Sequence, residues 1–555
     1  MGRPRKRVAA HFAEQVVATE SSNPPMKPCL SAVLVLLCAT ASAQDHGAHT
    51  IPVVPAGLLE RPVSLREDIG HAHDTVGTQS PEAQRLYDQG LNYLHGYVWI
   101  EAARSFHQAL RLDASLAVAH VGLSIAYVEL NQGSAARTAL GRAEALAATN
   151  TPHDRWHIEA RSAQAAAEMA PGDQALLAAY RSVLDRALAA QPRDAEFWIL
   201  RGTAESTDPA DRGQGSPASA IPYLEKAIAL GGVSAQHHLT HALENAGRTA
   251  EAVPHAEAYA ASAPNVPHAL HMKGHVLRRA GRVDEAVAAF EAADRVEAAS
   301  FAREQIPPEY DWHYEHNLDL LASSYRYLGQ MQRANERMQA AFNLSSSLLA
   351  QMFNKRAWPE NLIAQRRYDA AVEAADRLVV HQAALVRATG HLEAGLALLS
   401  AGRVQAAIER SNRALAEMRA SPGGQALVAP ALQQLQGLLS LRTGARDRGR
   451  SMLEALSRDL RARPGPDNWV QALFTLEAIA RGAREAGDWE FAGTVARQML
   501  VLDPGFAGSH YALALVLEQG GDTIGARAEF AEAARSWRKA DPDLAEAVRS
   551  AASIR

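Results

Sequence analysis

The pattern that indicates the fold of this chain of 555 residues is clearest in the segment GHVLRRAGRVDEAVAAFEAA, residues 274–293. Its glycine at position 281 separates two stretches in which large and small residues recur at helical spacing, with Ala286 and Phe290 in the second stretch. This pattern is typical of two antiparallel helices joined by a short turn that contains glycine. Such a helical pair cannot bury its apolar faces alone, so the segment predicts that several pairs stack on one another.

The same pattern recurs along the chain, in places at a spacing of 34 residues, as between Gly247 and Gly281. The clearest copies are marked by Gly90, Tyr93, Ala102, Phe106 and Ala109, by Leu243, Gly247 and Ala252, by Gly487 and Ala492, and by Gly521, Ala526, Phe530 and Ala533. Less regular copies fall around Ala227, Ala341, Leu378 and Ala414. We therefore predict an all-α protein, a superhelical α-solenoid of about ten or eleven helical hairpins between residues 80 and 545.

These offsets resemble those of the tetratricopeptide repeat (TPR), and the resemblance covers most of the chain. It implies a right-handed superhelix whose concave groove binds a protein or peptide partner. We divide the array into residues 80–230, a central histidine-rich part at 231–345, and a C-terminal part at 346–555. Residues 207–217 (TDPADRGQGSP) are predicted to form a loop inside the first part.

Composition and charge narrow the function. The chain is 47% hydrophobic but only 6% aromatic, and its formal net charge is -5. A mildly acidic chain is not expected to bind nucleic acid, because that affinity depends largely on clustered Lys and Arg at the phosphates. The sequence contains no phosphate-binding loop, dinucleotide-binding glycine motif or nucleophile elbow, which favours a binding protein over an enzyme.

The N-terminus predicts export. Met26-Lys27 precedes an apolar run from Leu30 to Ala39, and Ala41-Ser42-Ala43 fits a cleavage site. We interpret residues 26–43 as a signal peptide, residues 1–25 as a wrongly assigned start or an extended charged region, and 44–79 as an irregular leader. An uncleaved membrane anchor is the alternative. Cleavage would remove both cysteines, Cys29 and Cys38, and deliver a protein without a stable transmembrane span to the periplasm or outside the cell.

Histidines are the most distinctive feature of the central part. Nine of the 22 fall between His237 and His316. Six lie in the stretches HHLTHA (237–242) and PHALHMKGH (267–275), and the others are His255, His313 and His316. His237 and His271 are 34 residues apart, and so are His241 and His275. They therefore hold equivalent positions in adjacent repeats. Residues three, four and seven apart share one face of a helix, so these imidazoles are expected to converge.

A metal site is one hypothesis for this register, because neutral imidazole nitrogens bind Zn²⁺, Cu²⁺ or Ni²⁺. The predicted ligands are His237, His241, His271 and His275, with His268 and His316 extending the set. No glutamate lies between the paired histidines, so the pattern does not match that of a zinc protease. Four further histidines, in the leader, are interpreted as polar loop residues rather than as flexible metal ligands: His46, His49, His71 and His73.

Partner binding is the other hypothesis, and it stays open beside the first. In tetratricopeptide proteins, the equivalent positions on the first helix of each repeat line the concave groove. The resemblance therefore implies a partner-binding groove lined by His237, His241, His268, His271, His275, His316 and Asp319. Near this set, Asp311, Glu315 and Asp319 are interpreted as residues of a salt-bridged surface. The alternative is that one of them orients a metal-bound imidazole.

The run of residues 80–113 and the histidine stretches also resemble a group of exported bacterial tetratricopeptide proteins that have no settled biochemical role. That resemblance supports export and fold, and it implies no reaction. Lys273-Gly274 departs from the Pro-Ser of that group. We therefore predict an uninterrupted helix through the second histidine stretch.

Overall fold

The computed structural model describes residues 51–421, 423–463, 465 and 467–554. The predicted signal peptide, both cysteines, His46 and His49 lie outside the described residues, so those predictions stay untested. Helices form where apolar residues recur with helical period, and most of them end at a short turn. The described residues contain no strand.

The first half consists of a short helix in the leader followed by helices that pair along the chain. These are α1 (Ala56–Leu59), α2 (Pro81–His95), α3 (Trp99–Leu112), α4 (Ala117–Glu129), α5 (Gly133–Leu146), α6 (Pro152–Met169), α7 (Gln174–Ala190), α8 (Ala195–Thr203), α9 (Ile221–Ala229), α10 (Ala235–Asn245), α11 (Thr249–Ser262), α12 (Pro267–Arg279) and α13 (Val283–Glu304). Short 3₁₀ turns lie at Ala147–Thr149, Ala218–Ala220 and Pro308–Tyr310.

The second half continues the same alternation and ends with a single helix. Its helices are α14 (Trp312–Tyr327), α15 (Met331–Asn343), α16 (Leu349–Asn354), α17 (Ala357–Ala364), α18 (Tyr368–Val379), α19 (Ala384–Ser400), α20 (Val404–Ala420), α21 (Ala429–Arg442), α22 (Arg446–Ala462), α23 (Asn468–Glu485), α24 (Trp489–Leu502), α25 (Ala507–Gln519), α26 (Thr523–Ser536) and α27 (Ala545–Ser553). A 3₁₀ turn lies at Gln425–Leu427. The all-α repeat fold is thus confirmed.

The local pattern of the deciding segment is confirmed in detail. Gly281 adopts a φ of 77°, the left-handed region that a residue without Cβ enters easily, and its turn joins α12 to α13. On α12, a Cβ atom added at Gly274 would lie 2.8 Å from Cδ1 of Phe290. The Phe290 ring therefore needs a small residue at this position. Helix α12 also runs uninterrupted through Lys273-Gly274, as predicted.

Twelve helical pairs lie between Pro81 and Ser536 in the described residues, more than the ten or eleven predicted, and the short helix α16 lies between the seventh and the eighth. The sequence pattern did not predict the third pair, α6–α7, or the tenth, α21–α22. Five residues after the turn glycine, where the regular copies have alanine, these pairs have Leu177 and Gly449. Because this alanine is part of the pattern that marks a repeat, the two pairs could not be recognised from the sequence.

The leader packs against the array along its length. Apart from α1 it is irregular, yet its apolar residues Val54, Leu59, Val63, Ile69 and Val76 are buried. They belong to a cluster that also contains residues of the first two pairs, such as Phe106, and residues of the fifth and sixth, such as Tyr259. The first pair therefore contacts the fifth and sixth pairs, which are distant from it in sequence.

The predicted loop at 207–217 lies between α8 and α9 and folds inward. The guanidinium of Arg212 forms ion pairs with Glu129 at 2.7 Å and Glu168 at 2.5 Å. The carbonyl of Arg212 accepts a hydrogen bond of 2.9 Å from the hydroxyl of Tyr97. This loop therefore packs against the turn of the first pair. No helix among the described residues is long and apolar enough to cross a membrane.

Candidate metal centre

Three imidazole nitrogens converge where the fifth and sixth pairs meet. His237 and His241 are four residues apart on one face of α10, and His268 lies in the first turn of α12. Nε2 of His237 is 3.0 Å from Nε2 of His241 and 2.9 Å from Nε2 of His268. All three side chains are buried. We call His237, His241 and His268 the central histidine cluster.

A backbone carbonyl fixes the tautomer of His237. Nδ1 of His237 lies 2.7 Å from the carbonyl oxygen of His95 and must donate a proton to it, because a carbonyl can only accept. The neutral ring then presents the lone pair of Nε2 to the other two histidines. A hydrogen bond from either His241 or His268 can satisfy that lone pair, but the Nε2 of the other histidine is then left without a hydrogen bond to His237. A cation at the centre would accept electron pairs from all three.

Burial keeps these rings neutral. Removal from water lowers the pKa of His237 and of His268 well below the usual range, and the neighbouring histidines lower it further. Burial likewise lowers the pKa of His241 to about 3. The neutral imidazole is the form that binds metals, so no proton has to be removed before a metal binds.

Tyr97 forms one wall of the cluster and carries backbone strain. Its ring centroid is 4.7 Å from that of His237 and 4.8 Å from that of His268. Tyr97 has a φ of 57° and occupies the turn position that Gly281 holds in the sixth pair. A bulky residue in the left-handed region is an outlier, and such strain persists only where the surroundings impose it. The aromatic ring is therefore kept here at the expense of backbone freedom.

A second set of polar contacts adjoins the cluster. Nδ1 of His95 lies 3.1 Å from Nε2 of His238, and Nε2 of His95 lies 2.9 Å from a carboxylate oxygen of Glu196. His95, Tyr97 and Glu196 are not among the residues predicted from the sequence. They are distant in sequence from the histidine stretches, and their contacts form only when the first pair packs against the fourth and fifth pairs.

His271, His313 and His316 extend the row of imidazoles away from the cluster. The ring centroid of His271 is 4.8 Å from that of His313 and 4.8 Å from that of His316. Nδ1 of His271 is 3.1 Å from Oδ1 of Asn317. Trp312 stacks on His316 at 5.7 Å. These rings pack beside one another, and their nitrogens do not join the three that converge.

His275 differs from the others because it is a cation. Its Nδ1 lies 3.0 Å from Glu244, and its Nε2 lies 3.1 Å from Asp467, which also pairs with Arg278. Burial alone lowers the pKa of His275, but the charges of Asp467 and Glu244 outweigh burial and raise it to about 10. Its two nitrogens pair with these carboxylates and do not lie with the three nitrogens that converge. Of the four first-choice ligands, the structure thus brings together His237 and His241, and adds His268 from the extended set.

The residues predicted to line a partner groove are mostly inaccessible. His237, His241, His268, His271 and His275 are each at most 9% exposed. Asp319 follows His316 by three residues on α14, and burial, with the charge of Glu315, raises its pKa to about 8. Their burial favours a small ligand such as an ion over a peptide at these positions.

A cavity of about 60 Å³ lies in the C-terminal part. It is lined by charged residues that include Arg326, Glu360, Glu393, Glu477 and Arg481. Glu393 is buried, and neither of its carboxylate oxygens has a hydrogen-bond partner among the described residues. Burial, with the charge of Glu360, raises the pKa of Glu393 well above its usual range. A side chain in this state is able to bind a hydrogen-bonding group from another molecule.

A protein-family model matches two segments of the chain. The tetratricopeptide repeat model matches residues 239–302 and 360–424. A search of curated proteins found no match.

Three solved structures that the chain resembles are yeast Tom70, the Cut9-Hcn1 hetero-tetramer of APC/C, and a human IFIT1 dimer with m7Gppp-AAAA. Tom70 is 12% identical, with a TM-score of 0.31 over 85% of this chain and 94% of that chain. Cut9-Hcn1 is 12% identical, with a TM-score of 0.30 over 85% and 96%. IFIT1 is 13% identical, with a TM-score of 0.34 over 82% and 90%. Superpositions this loose carry no argument about function.

The matched segments contain the deciding pattern around Gly281 and the less regular copy around Leu378. The chain therefore contains tetratricopeptide repeats, and the stacked helical pairs around them form its all-α fold.

Proposed function

We propose that this protein is a helical-repeat scaffold that binds one transition-metal ion through Nε2 of His237, His241 and His268. The single observation that carries the proposal is the convergence of these three nitrogens, with separations of 2.9 and 3.0 Å from His237. The hydrogen bond to the His95 carbonyl supports it, because an outer hydrogen bond commonly orients a ligating imidazole.

Three neutral imidazoles suit Zn²⁺ or copper, and they leave one coordination position for water or a further ligand. A cavity of about 80 Å³, lined by His95, Tyr97, Glu196 and His238 among others, adjoins the cluster. A bound molecule of small size would have room there. The proposal assigns binding, and we assign no reaction to the site.

Metal content tests this proposal directly. The mature chain, expressed from Gln44 without a histidine tag, is analysed by elemental mass spectrometry as purified and after loading with Zn²⁺ or Cu²⁺ and dialysis. We expect the metal content to fall by one equivalent per chain in the variant carrying His237→Ala and His268→Ala. His120→Ala is the matched control, since His120 is also buried on a helix but lies outside the cluster. Metal content that stays near zero after loading would overturn the proposal.

Tetratricopeptide repeats commonly bind protein partners, and the fold is consistent with a protein-interaction scaffold. We propose in addition that a partner peptide binds in the C-terminal cavity and places a lysine or arginine side chain at Glu393. The observation that favours this second function is the pair of unpartnered, buried carboxylate oxygens of Glu393. A cationic donor would satisfy both oxygens and restore the charged form of the carboxylate.

The peptide proposal is tested by fluorescence anisotropy with a panel of labelled peptides that differ only in one central residue. Peptides with central lysine or arginine should bind more tightly than those with glutamine or glutamate. Glu393→Gln should remove that preference, whereas Glu409→Gln, an exposed control in the neighbouring helix α20, should leave it unchanged. Equal affinities across the panel would contradict the role of Glu393.

Export is also part of the proposed function. The charged residues, apolar run and Ala41-Ser42-Ala43 motif of residues 26–43 support secretion to the periplasm or the medium. Cell fractionation followed by N-terminal sequencing should yield a product that begins at Gln44. Ala43→Phe should block cleavage and Ala48→Phe should not. A full-length product retained in the cytoplasm would contradict export.

A further inference from the structure

Four metal-binding side chains also meet at a second place, between the leader and the third and fourth helical pairs. Asp74 comes from the leader, His153 and His157 from the first turns of α6, and Asp194 caps the N-terminus of α8. One potential ligand atom from each residue lies within 4.8 Å of the others. We call these four residues the leader cluster. It shares no residue with the central histidine cluster.

The distances within the leader cluster are short on every side. Nε2 of His153 lies 3.0 Å from Oδ1 of Asp74 and 2.8 Å from Oδ2 of Asp194. Nε2 of His157 lies 3.2 Å from Oδ2 of Asp74. The spacing of His153 and His157, four residues apart on one helix, directs both rings to the same face. The two nitrogens and the carboxylate oxygens therefore surround a common point.

The geometry at His157 is not that of a hydrogen bond. Its Nε2 is buried and has no hydrogen-bond partner among the described residues, although the Asp74 oxygen is only 3.2 Å away. An ion held between the two groups would give Nε2 of His157 the partner that it lacks. The ring is also held in place, because it stacks on Phe197 with 4.4 Å between centroids.

Outer contacts hold the ligands in position. Nδ1 of His153 lies 3.2 Å from Oδ1 of Asp154, a fully buried carboxylate whose other oxygen accepts the backbone N–H of Gly77 at 3.0 Å. This arrangement places a carboxylate behind a histidine, which is the usual support of a metal-bound imidazole. Asp194 uses its Oδ1 to cap α8, which leaves Oδ2 for the cluster.

We propose that Asp74, His153, His157 and Asp194 form a second, structural metal site for a divalent ion such as Zn²⁺, which fastens the leader to the third and fourth helical pairs. Two imidazoles and two carboxylates complete a tetrahedral set, and a site with four protein ligands is of the closed, structural type. Because the ligands come from three separate segments, binding of the ion adds stability to the contact between them. This proposal does not depend on the central histidine cluster.

The test uses the full mature chain from Gln44 in the His237→Ala, His268→Ala background, which removes the central histidine cluster. After chelator treatment and dialysis, Co²⁺ and Zn²⁺ are titrated separately. We expect one equivalent of Co²⁺ to give the visible absorption of a tetrahedral N/O site, and Zn²⁺ to displace it. Adding Asp74→Asn should abolish this binding. Asp154→Asn should weaken affinity by about 10–100-fold, as loss of an outer contact does.

Limited proteolysis gives a readout of the structural role. Zn²⁺ should slow cleavage within residues 51–79, and the protection should vanish in Asp74→Asn. Asp113→Asn is the matched control: Asp113 accepts a 2.6 Å hydrogen bond from leader residue Thr78 but lies outside the cluster. It should leave metal protection intact. If no ion binds, or if binding survives Asp74→Asn, the leader cluster is a network of ion pairs and the proposal is wrong.

Discussion

Tyr97 packs edge-on against His237, with 4.7 Å between ring centroids, although one residue belongs to the first helical pair and the other to the fifth. Tyr97 does so from a turn where its backbone φ is 57°. The contact therefore couples a strained turn to the central histidine cluster, and its two components can be separated by mutation.

Replacing Tyr97 should reverse the usual order of alanine and glycine. Tyr97→Ala removes the buried ring, at about 3–5 kcal/mol, and keeps a Cβ in the left-handed region. Tyr97→Gly removes the same ring and relieves about 1–2 kcal/mol of backbone strain. We expect both variants to unfold at lower temperature than the parent, with Tyr97→Gly the more stable of the two. Equal stabilities, measured by calorimetry, would show that the turn is not strained.

Gly274 offers a test of packing between the two helices of a pair. Gly274→Ala should destabilise by about 1–3 kcal/mol because the new methyl group meets Phe290. At the exposed helix position Gly141 no described atom lies within 4 Å of an added Cβ, so Gly141→Ala should stabilise by about 1 kcal/mol. The same substitution thus has opposite signs at two helical glycines. Thermal unfolding of both variants checks the pair, and a stabilised Gly274→Ala variant would contradict the packing argument.

The ion pairs of His275 predict a pH dependence. The pKa of His275 is raised to about 10 in the folded state, above its value of about 6.5 in an unfolded chain. Its contribution is therefore fully present below about pH 6.5 and is lost as pH rises through about 10. At pH 6, His275→Gln should lower stability by about 3–5 kcal/mol, because Glu244 and Asp467 lose a buried partner. The gap between parent and variant should narrow towards pH 10. A constant gap from pH 6 to 10, in unfolding midpoints, would contradict this assignment.

Metal binding at the central histidine cluster should appear as added stability. A metal at about a hundred times its Kd stabilises the folded state by about 2.7 kcal/mol if it does not bind the unfolded chain. The shift in urea midpoint on adding Zn²⁺ should vanish in His268→Ala and persist in His271→Ala, whose ring packs beside the cluster without joining it. To exclude a contribution from the leader cluster, both variants are compared in the Asp74→Asn background. Loss of the shift in both would mean that the ion contacts His271 as well.

The fold could be read largely from the sequence, and the site only in part. Turn glycines followed by alanine and phenylalanine predicted most pairs, because each feature satisfies a local packing requirement, as Gly274 and Phe290 do. Pairs that meet the same requirement with Leu177 or Gly449 stayed hidden. His237 and His241 were predicted to converge because they lie four residues apart on one helix face, and the structure places their Nε2 atoms 3.0 Å apart. The 34-residue register added His271 and His275 to the predicted ligands. That register could not show that His271 and His275 have other partners, because these contacts depend on Asn317, Glu244 and Asp467.

Contacts between distant pairs were invisible for a simple reason. A repeat pattern specifies how each pair packs on the next, and it says nothing about which pairs meet after a full turn of the superhelix. His95 and Tyr97 reach the histidines only through such a contact. The leader cluster likewise joins three segments, one of them irregular, and none of the three carries a motif by itself.

The apolar cluster that joins the leader and the first two pairs to the fifth and sixth changes how this protein should fold. A stack of repeats usually behaves as a one-dimensional array, in which each unit contacts only its neighbours and the ends fray independently. Here the N-terminal end is closed back onto the middle of the chain, so it has no free end to fray. We expect the N-terminal half to lose hydrogen-exchange protection as one cooperative block. The C-terminal helices should share protection with the sixth and seventh pairs, because the N–H of Asp541 donates to the carbonyl of Gly329 and Arg538 pairs with Asp284.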